Sequence, residues 1–433
     1  MQYTEPQRTI PANDDYEVIV VGSGPAGIAA AVNAGRNGAK VLLIETAGAV
    51  GGISTVGMMS HFTGRCDSVF YREVLQRQAD KSYFAPGVSV PQIDPEMLKN
   101  VYYEMLTEAG VDVLLYTFVC KAITEGDRVR GVICENKSGR TAYFAKVIID
   151  ASGDGDVAAD SGAAFIKGRE EDGKMQPATL MFKVGGVDME RAALPKSFET
   201  LVHTEKGELQ ALAKEKLPAP AGHVLLYASP IPGIVTCNMT NVTDIDGTKA
   251  EDLTRAEIVC RSQMEPIVNF LREYVPGYEH CYIVGAASLI GVRETRHFIG
   301  KKTLCKEDML EARQHDDWVV KGARFNFDVH NITGAGLDKT GAQKHFKQQN
   351  GYTIPYGCMV PEKIKGLLLS GRNISGTHIA HSNFRAMPIC MAVGTACGIA
   401  AALAVKNGTE VADVDPKDIQ AILRLAEEKE AAK

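Results

Sequence analysis

The chain has 433 residues, enough for two or three domains at about 150 residues each. Its 45% hydrophobic and 23% charged content are globular values and exclude a disordered or fibrous chain. With 47 basic against 53 acidic side chains the net charge is −6, so the chain has no electrostatic footprint for nucleic acid.

The first residues are polar and include Pro6 and Pro11, without the apolar core of a secretory signal. Apolar runs such as 41–44 and 398–405 fall short of the roughly 18 residues of a membrane helix. No membrane span and a cytoplasmic location are therefore expected. The 10 cysteines are scattered, with no CxxC pair and no Cys/His spacing suited to zinc, which fits a reducing compartment and predicts no metal site.

Residues 17–22 (EVIVVG) are a β-branched run ending in glycine, the pattern of a buried parallel strand. Gly22, Gly24 and Gly27 follow as G-x-G-x-x-G, then Ala29, Ala30, Ala31 and Ala34 on a small-sided helix, then a second strand at 40–45. This βαβ unit predicts a dinucleotide site: a tight turn at Gly22, close approach of pyrophosphate at Gly24, and helix packing at Gly27. The helix N-terminus with Pro25 and Ala26 offers free N–H groups to phosphate. Glu45 is placed to accept ribose hydroxyls and to repel a 2′-phosphate.

Asp94, Pro95 and Gly110 frame a capped helix. Strand-like runs at 112–123, 128–136 and 140–150, parted by Gly126-Asp127 and Ser138-Gly139, read as a β-meander that breaks into Gly153, Asp154 and Gly155. From 177 to 350 the pattern changes, with strands at 179–184, 223–228, 233–240, 281–286 and 288–298 and a helix at 254–274. A buried strand at 366–371 and a Gly/Ala-rich helix at 388–406 then return to core pattern. The expected architecture is α/β: a discontinuous nucleotide domain with a three-layer parallel sheet plus β-meander at 1–176 and 351–433, and an inserted α+β substrate domain at 177–350.

Gly51-Gly52 with Ser54 forms a second backbone-exposing loop, too close to Glu45 for a simple NAD half-fold, and suits a longer cofactor. With the loop after Ile149 and LLLSGRNIS at 367–375, it resembles FAD proteins of the glutathione-reductase type. The segments IDASGDGDVAADSG, LIGVRETRHFIGKKTL and LLLSGRNISGTHIAHSNFRAMPICMAVGTACG resemble the bacterial FAD-dependent oxidoreductase family, and more distantly succinate dehydrogenase and fumarate reductase flavoproteins. Asn373 departs from the pattern, because the family is expected to carry Cys there. The resemblance implies FAD held by Gly22, Gly24, Pro25, Ala26, Gly27, Glu45, Thr46, Gly52, Ser54, Val119, Ala151, Gly153, Gly371, Arg372 and Met387, with the helix starting at Met387-Pro388 aimed at the reduced isoalloxazine. His61 lies where some succinate dehydrogenase relatives carry a flavin-linked histidine, but SHFTG is unlike theirs, so the flavin is expected to be non-covalent.

Chemistry is expected from the loop 377–385, with His378 as the proton-handling group, His381 and, outside the loop, His330 as other candidates, and Arg293 and Arg385 for a polar or carboxylate substrate. Strand alternation over GVRETRHF puts Arg293 and Glu294 on opposite faces, and Asp328 and His330 share a face. The reading is hydride transfer between a small alcohol, amine or carboxylate-bearing substrate and flavin N5, with an unidentified electron acceptor or donor and a homo-oligomer left open. A C=C reductase resembling fumarate reductase is the first alternative, and a non-redox FAD-containing binding or assembly protein the second.

Overall fold

A computed structural model describes residues 1–83, 91–338 and 350–432. Val18–Val21 is buried along its whole length, as a strand covered on both faces must be. It forms the centre of a five-stranded parallel sheet ordered Leu367–Leu369, Val147–Asp150, Val18–Val21, Val41–Ile44 and Asp112–Leu114. The helix Pro25–Arg36 packs on this sheet through alanines and is crossed closely by Met387–Asn407. That last helix, 21 residues long, is long and apolar enough to cross a membrane, yet 89% of its apolar window is buried inside the fold, as befits a core helix.

The expected capped helix runs Pro95–Glu108, and the Asp94 carboxylate accepts from Glu96 N and Met97 N. The β-meander is Phe118–Glu125, Arg128–Asn136 and Gly139–Phe144. The expected outer strands had merged two sheets: Asp112–Leu114 and Val147–Asp150 belong to the parallel sheet. Tyr116, at φ 51, turns the chain from one sheet to the other.

A second hydrophobic core spans residues 178–287. Its antiparallel sheet is ordered Leu226–Ala228, Val235–Cys237, Phe182–Gly185 and Tyr282–Ala286, and the helix Ala250–Tyr274 lays Cys260, Met264, Ile267 and Leu271 into the same core. Phe298, Val319 and Phe327 pack instead into the core under the parallel sheet.

Two local expectations change. The strand expected over 288–298 is reduced to Arg296–Phe298, because Val292 N bonds to Ile290 O and turns the chain before it. The stretch 377–385, expected as a loop, is a helix, His378–Phe384, capped at its N-terminus by the Thr377 side chain.

Candidate active site

The carboxyl ends of the parallel strands open into a cleft of ≈ 940 Å³, walled on the other side by Thr179, Met181, Tyr227 and Asn238 of the second unit. The turns after three adjacent strands supply its floor: Gly22 to Ala26, Ala151 to Asp154, and Ser370 to Arg372. Crevices at this end of a parallel sheet are where such folds bind ligands.

The turn geometry follows from its glycines. Gly22 stands at φ 92, against the Ala151 carbonyl, a conformation and a closeness that deny a side chain. Gly24 has ordinary angles, φ −63 and ψ 179, and a Cβ there would meet no heavy atom within 4 Å, so it looks into open cleft. Gly27 is outside the cleft and backs the turn, where a Cβ would overlap the Gly22 carbonyl oxygen.

The residues present fit a dinucleotide flavin. The helices Pro25–Arg36 and Met387–Asn407 both begin at the cleft, and neither N-terminus has a side-chain cap, which leaves backbone N–H groups for a ligand. The Glu45 carboxylate lines the same cleft, oriented by Ser23 N at 2.8 Å, Ser23 Oγ at 2.6 Å and Ala47 N at 2.8 Å. The Asp150 carboxylate holds the neighbouring turn through Ser152 and Ala158 N, and burial pushes its pKa up to about 6. Asn373 has a structural task there: its Nδ2 donates to Asp150 O at 2.9 Å and ties the ends of two strands.

Of the expected cofactor contacts, Gly22, Gly24, Pro25, Ala26, Glu45, Thr46, Gly52, Val119, Ala151, Gly153, Gly371, Arg372 and Met387 line the cleft. Ser54 does not: it is buried, and its Oγ donates to Gly51 O at 2.7 Å, bracing the loop from behind. His61 lines the cleft with its Nδ1 2.8 Å from Ser60 Oγ, and burial holds its pKa down to about 4.

Beyond the glycine turns, Arg293, Arg385, Asp328 and His330 come together. Arg293 donates to Pro177 O at 2.6 Å and Thr179 Oγ1 at 3.0 Å. Burial and the Arg385 charge lower its pKa to about 10, so it stays protonated at neutral pH. Arg385 donates to Asp328 Oδ2 at 2.8 Å, and the same oxygen lies 3.4 Å from His330 Nε2. Burial and the Arg293 charge push His330 down to about 4 against the opposing pull of Asp328. Two guanidiniums, one carboxylate and a neutral imidazole give this group of four side chains a net positive charge at pH 7.

His378 is the main correction to the expected site. It lies outside the cleft because the helix His378–Phe384 turns it away, and its Nδ1 is 2.5 Å from Glu294 Oε1. The same carboxylate oxygen is 2.7 Å from His297 Nε2, and Glu294 Oε2 accepts from Gln176 N at 3.0 Å. Hydrogen bonds from both imidazoles hold the Glu294 carboxyl well below the usual carboxylate range despite its burial. His381, fully buried, stacks edge-on against His297 and also misses the cleft. Only Arg385, at the end of this helix, enters it. Thr179 and Tyr227 were missed as site residues; each lies in an expected strand run, but nothing local marks which face meets the cleft.

The profile of the family described as FAD dependent oxidoreductase matches residues 17–423. A digeranylgeranylglycerophospholipid reductase of Methanosarcina acetivorans is 27% identical over 155 residues, 32% of this chain and 38% of the relative. A thiamine thiazole synthase of Aeropyrum pernix is 33% identical over 120 residues, 27% of this chain and 43% of the relative. The chain thus spans less than half the length of these two curated relatives. Among solved structures, p-nitrophenol 4-monooxygenase from Pseudomonas putida DLL-E4 superposes with a TM-score of 0.50 at 12% identity, over 94% of this chain and 84% of that one, a likeness of fold. With the profile matched along nearly its whole length and a cleft that fits the flavin dinucleotide, the chain belongs to the FAD-dependent oxidoreductase family.

Proposed function

We propose that the chain oxidises or reduces a small carboxylate-bearing substrate, bound between the parallel-sheet unit and a cap formed by residues 178–287. Bound FAD would supply hydride chemistry at its N5 atom, without a covalent link to the protein. The observation that carries the reading is the placement of Arg293 and Arg385 together in the cleft, beside Asp328. Arg385 is oriented by Asp328, and Arg293 by Pro177 O and Thr179 Oγ1, so both guanidiniums are fixed before substrate arrives. His330, neutral at pH 7 and next to Asp328, takes the proton-handling role first expected of His378. The alternative, a C=C reductase resembling fumarate reductase, would use the same arginine pair to hold the substrate carboxylate. Ten free cysteines fit a reducing compartment.

Anaerobic mixing of the flavin-loaded protein with a carboxylate panel tests this. Bleaching of the flavin by 2-hydroxy or 2-amino acids is the expected result. Reoxidation of photoreduced protein by enoates alone would assign the reductive direction, and inertness toward every carboxylate in both directions would defeat the proposal.

A further inference from the structure

The Glu294, His297 and His378 cluster lies outside the cleft and has no part in the proposed reaction. Its three side chains are almost wholly shielded, at 0%, 5% and 7% exposure. Glu294 Oε1, His297 Nε2 and His378 Nδ1 lie within 4.8 Å of one another, so small side-chain rotations bring all three to bonds of about 2.0–2.2 Å from one point. Burying a carboxylate is costly unless cations or hydrogen bonds compensate it. Here two imidazoles converge on one oxygen, while Gln176 N serves the other.

The donor set selects the ion. Two imidazole nitrogens disfavour magnesium and calcium, which seek oxygen ligands. Two histidines and a glutamate, with a fourth position left open, are a zinc donor set. Beside His297 is a separate small cavity of ≈ 40 Å³, also bounded by Thr377 and Glu170. A water needs about 10–15 Å³ of such space, so the cavity can hold one on the His297 side of the cluster. The carboxylate is oriented from behind by Gln176 N, the kind of outer support that metal ligands have.

We propose that Glu294, His297 and His378 bind one zinc ion that fastens together the two segments carrying the cleft arginines. Glu294 is the chain neighbour of Arg293, and the helix that His378 begins ends at Arg385. The two segments are far apart in sequence and meet at this cluster. No thiolate takes part, and the pattern Glu-x-x-His plus a distant histidine has no Cys/His spacing to reveal it, which is why the sequence predicted no metal.

The test uses the flavin-loaded protein, stripped with EDTA, equilibrated with zinc, desalted and measured by elemental mass spectrometry. A chromophoric chelator supplies the affinity by competition. One zinc per chain is expected, with affinity at least about tenfold weaker in Glu294→Gln and a zinc-dependent rise in Tm seen only in the unsubstituted protein. His297→Gln is measured beside it, and flavin absorbance reports which variant is folded. Absence of zinc at micromolar free metal overturns the proposal. So does a flavin-loaded variant, of either kind, that keeps the original affinity. These readouts are independent of turnover, so they stand apart from the substrate assignment.

Discussion

Gly24→Val is expected to give a folded protein without flavin. The backbone at Gly24 is in a region any residue adopts, and a Cβ there meets nothing within 4 Å, so the fold has no reason to reject a side chain. The space it enters is the mouth of the uncapped helix Pro25–Arg36, where a pyrophosphate must approach the backbone. Gly22→Ala should behave differently. At φ 92 and against the Ala151 carbonyl it loses stability before cofactor is considered, with about 1–2 kcal/mol from the backbone conformation alone. Far-UV circular dichroism and flavin absorbance, read on the same preparations, separate the two effects. A Gly24→Val protein with a full complement of flavin would show that the dinucleotide lies elsewhere. Acid precipitation of the unsubstituted protein should leave the yellow colour in the supernatant; a coloured pellet would point to a covalent bond, with His61 first to be examined.

The second large effect is expected at His330. Replacing it with alanine should cut turnover by about 10²–10⁴, the usual share of general acid–base catalysis, while flavin content is kept. The pH profile gives a sharper signature. Burial and Arg293 depress the His330 pKa to about 4, so the unprotonated base persists well below the ordinary histidine range. For an oxidation that needs this base, kcat/KM should stay level on acidification through pH 6.5 and fall only near pH 4. His378→Ala removes no group from the cleft and should leave that profile in place. Full turnover in His330→Ala would take His330 out of the mechanism.

The parts of the site legible in the sequence are those whose chemistry is local. A β-branched run, a glycine turn and an alanine helix must lie consecutively to bind pyrophosphate, so residues 17–45 disclosed both the fold of their segment and most of the residues it lends to the cleft wall. Met387 was equally readable, since a proline in the first turn of a Gly/Ala-rich helix marks a close-packed N-terminus. The substrate end was harder. Arg293 was placed in the cleft by strand alternation, yet residue 293 precedes the short strand Arg296–Phe298, and what aims the side chain is Pro177 O and Thr179 Oγ1. His378 failed for the same kind of reason: the strand that carries His297 and the helix that carries His378 and His381 meet around Glu294, a long-range arrangement that draws the ring away from the cleft. Pairing decided the β-meander too, because a residue such as Tyr116 with positive φ ends one strand and aims the next at another sheet.

The central claim is that the cleft holds an anion against Arg293 and Arg385, beside the flavin. Its most direct test is the dissociation constant of a small carboxylate and of its matching primary amide, read from perturbation of the bound flavin spectrum in the unsubstituted protein and in Arg293→Gln. A hydrogen bond to a charged group contributes about 1.5–3 kcal/mol, so the carboxylate should bind about 10- to 100-fold more weakly to Arg293→Gln, while the amide changes little. Equal binding of carboxylate and amide to the unsubstituted protein, or a carboxylate affinity indifferent to Arg293→Gln, would contradict it.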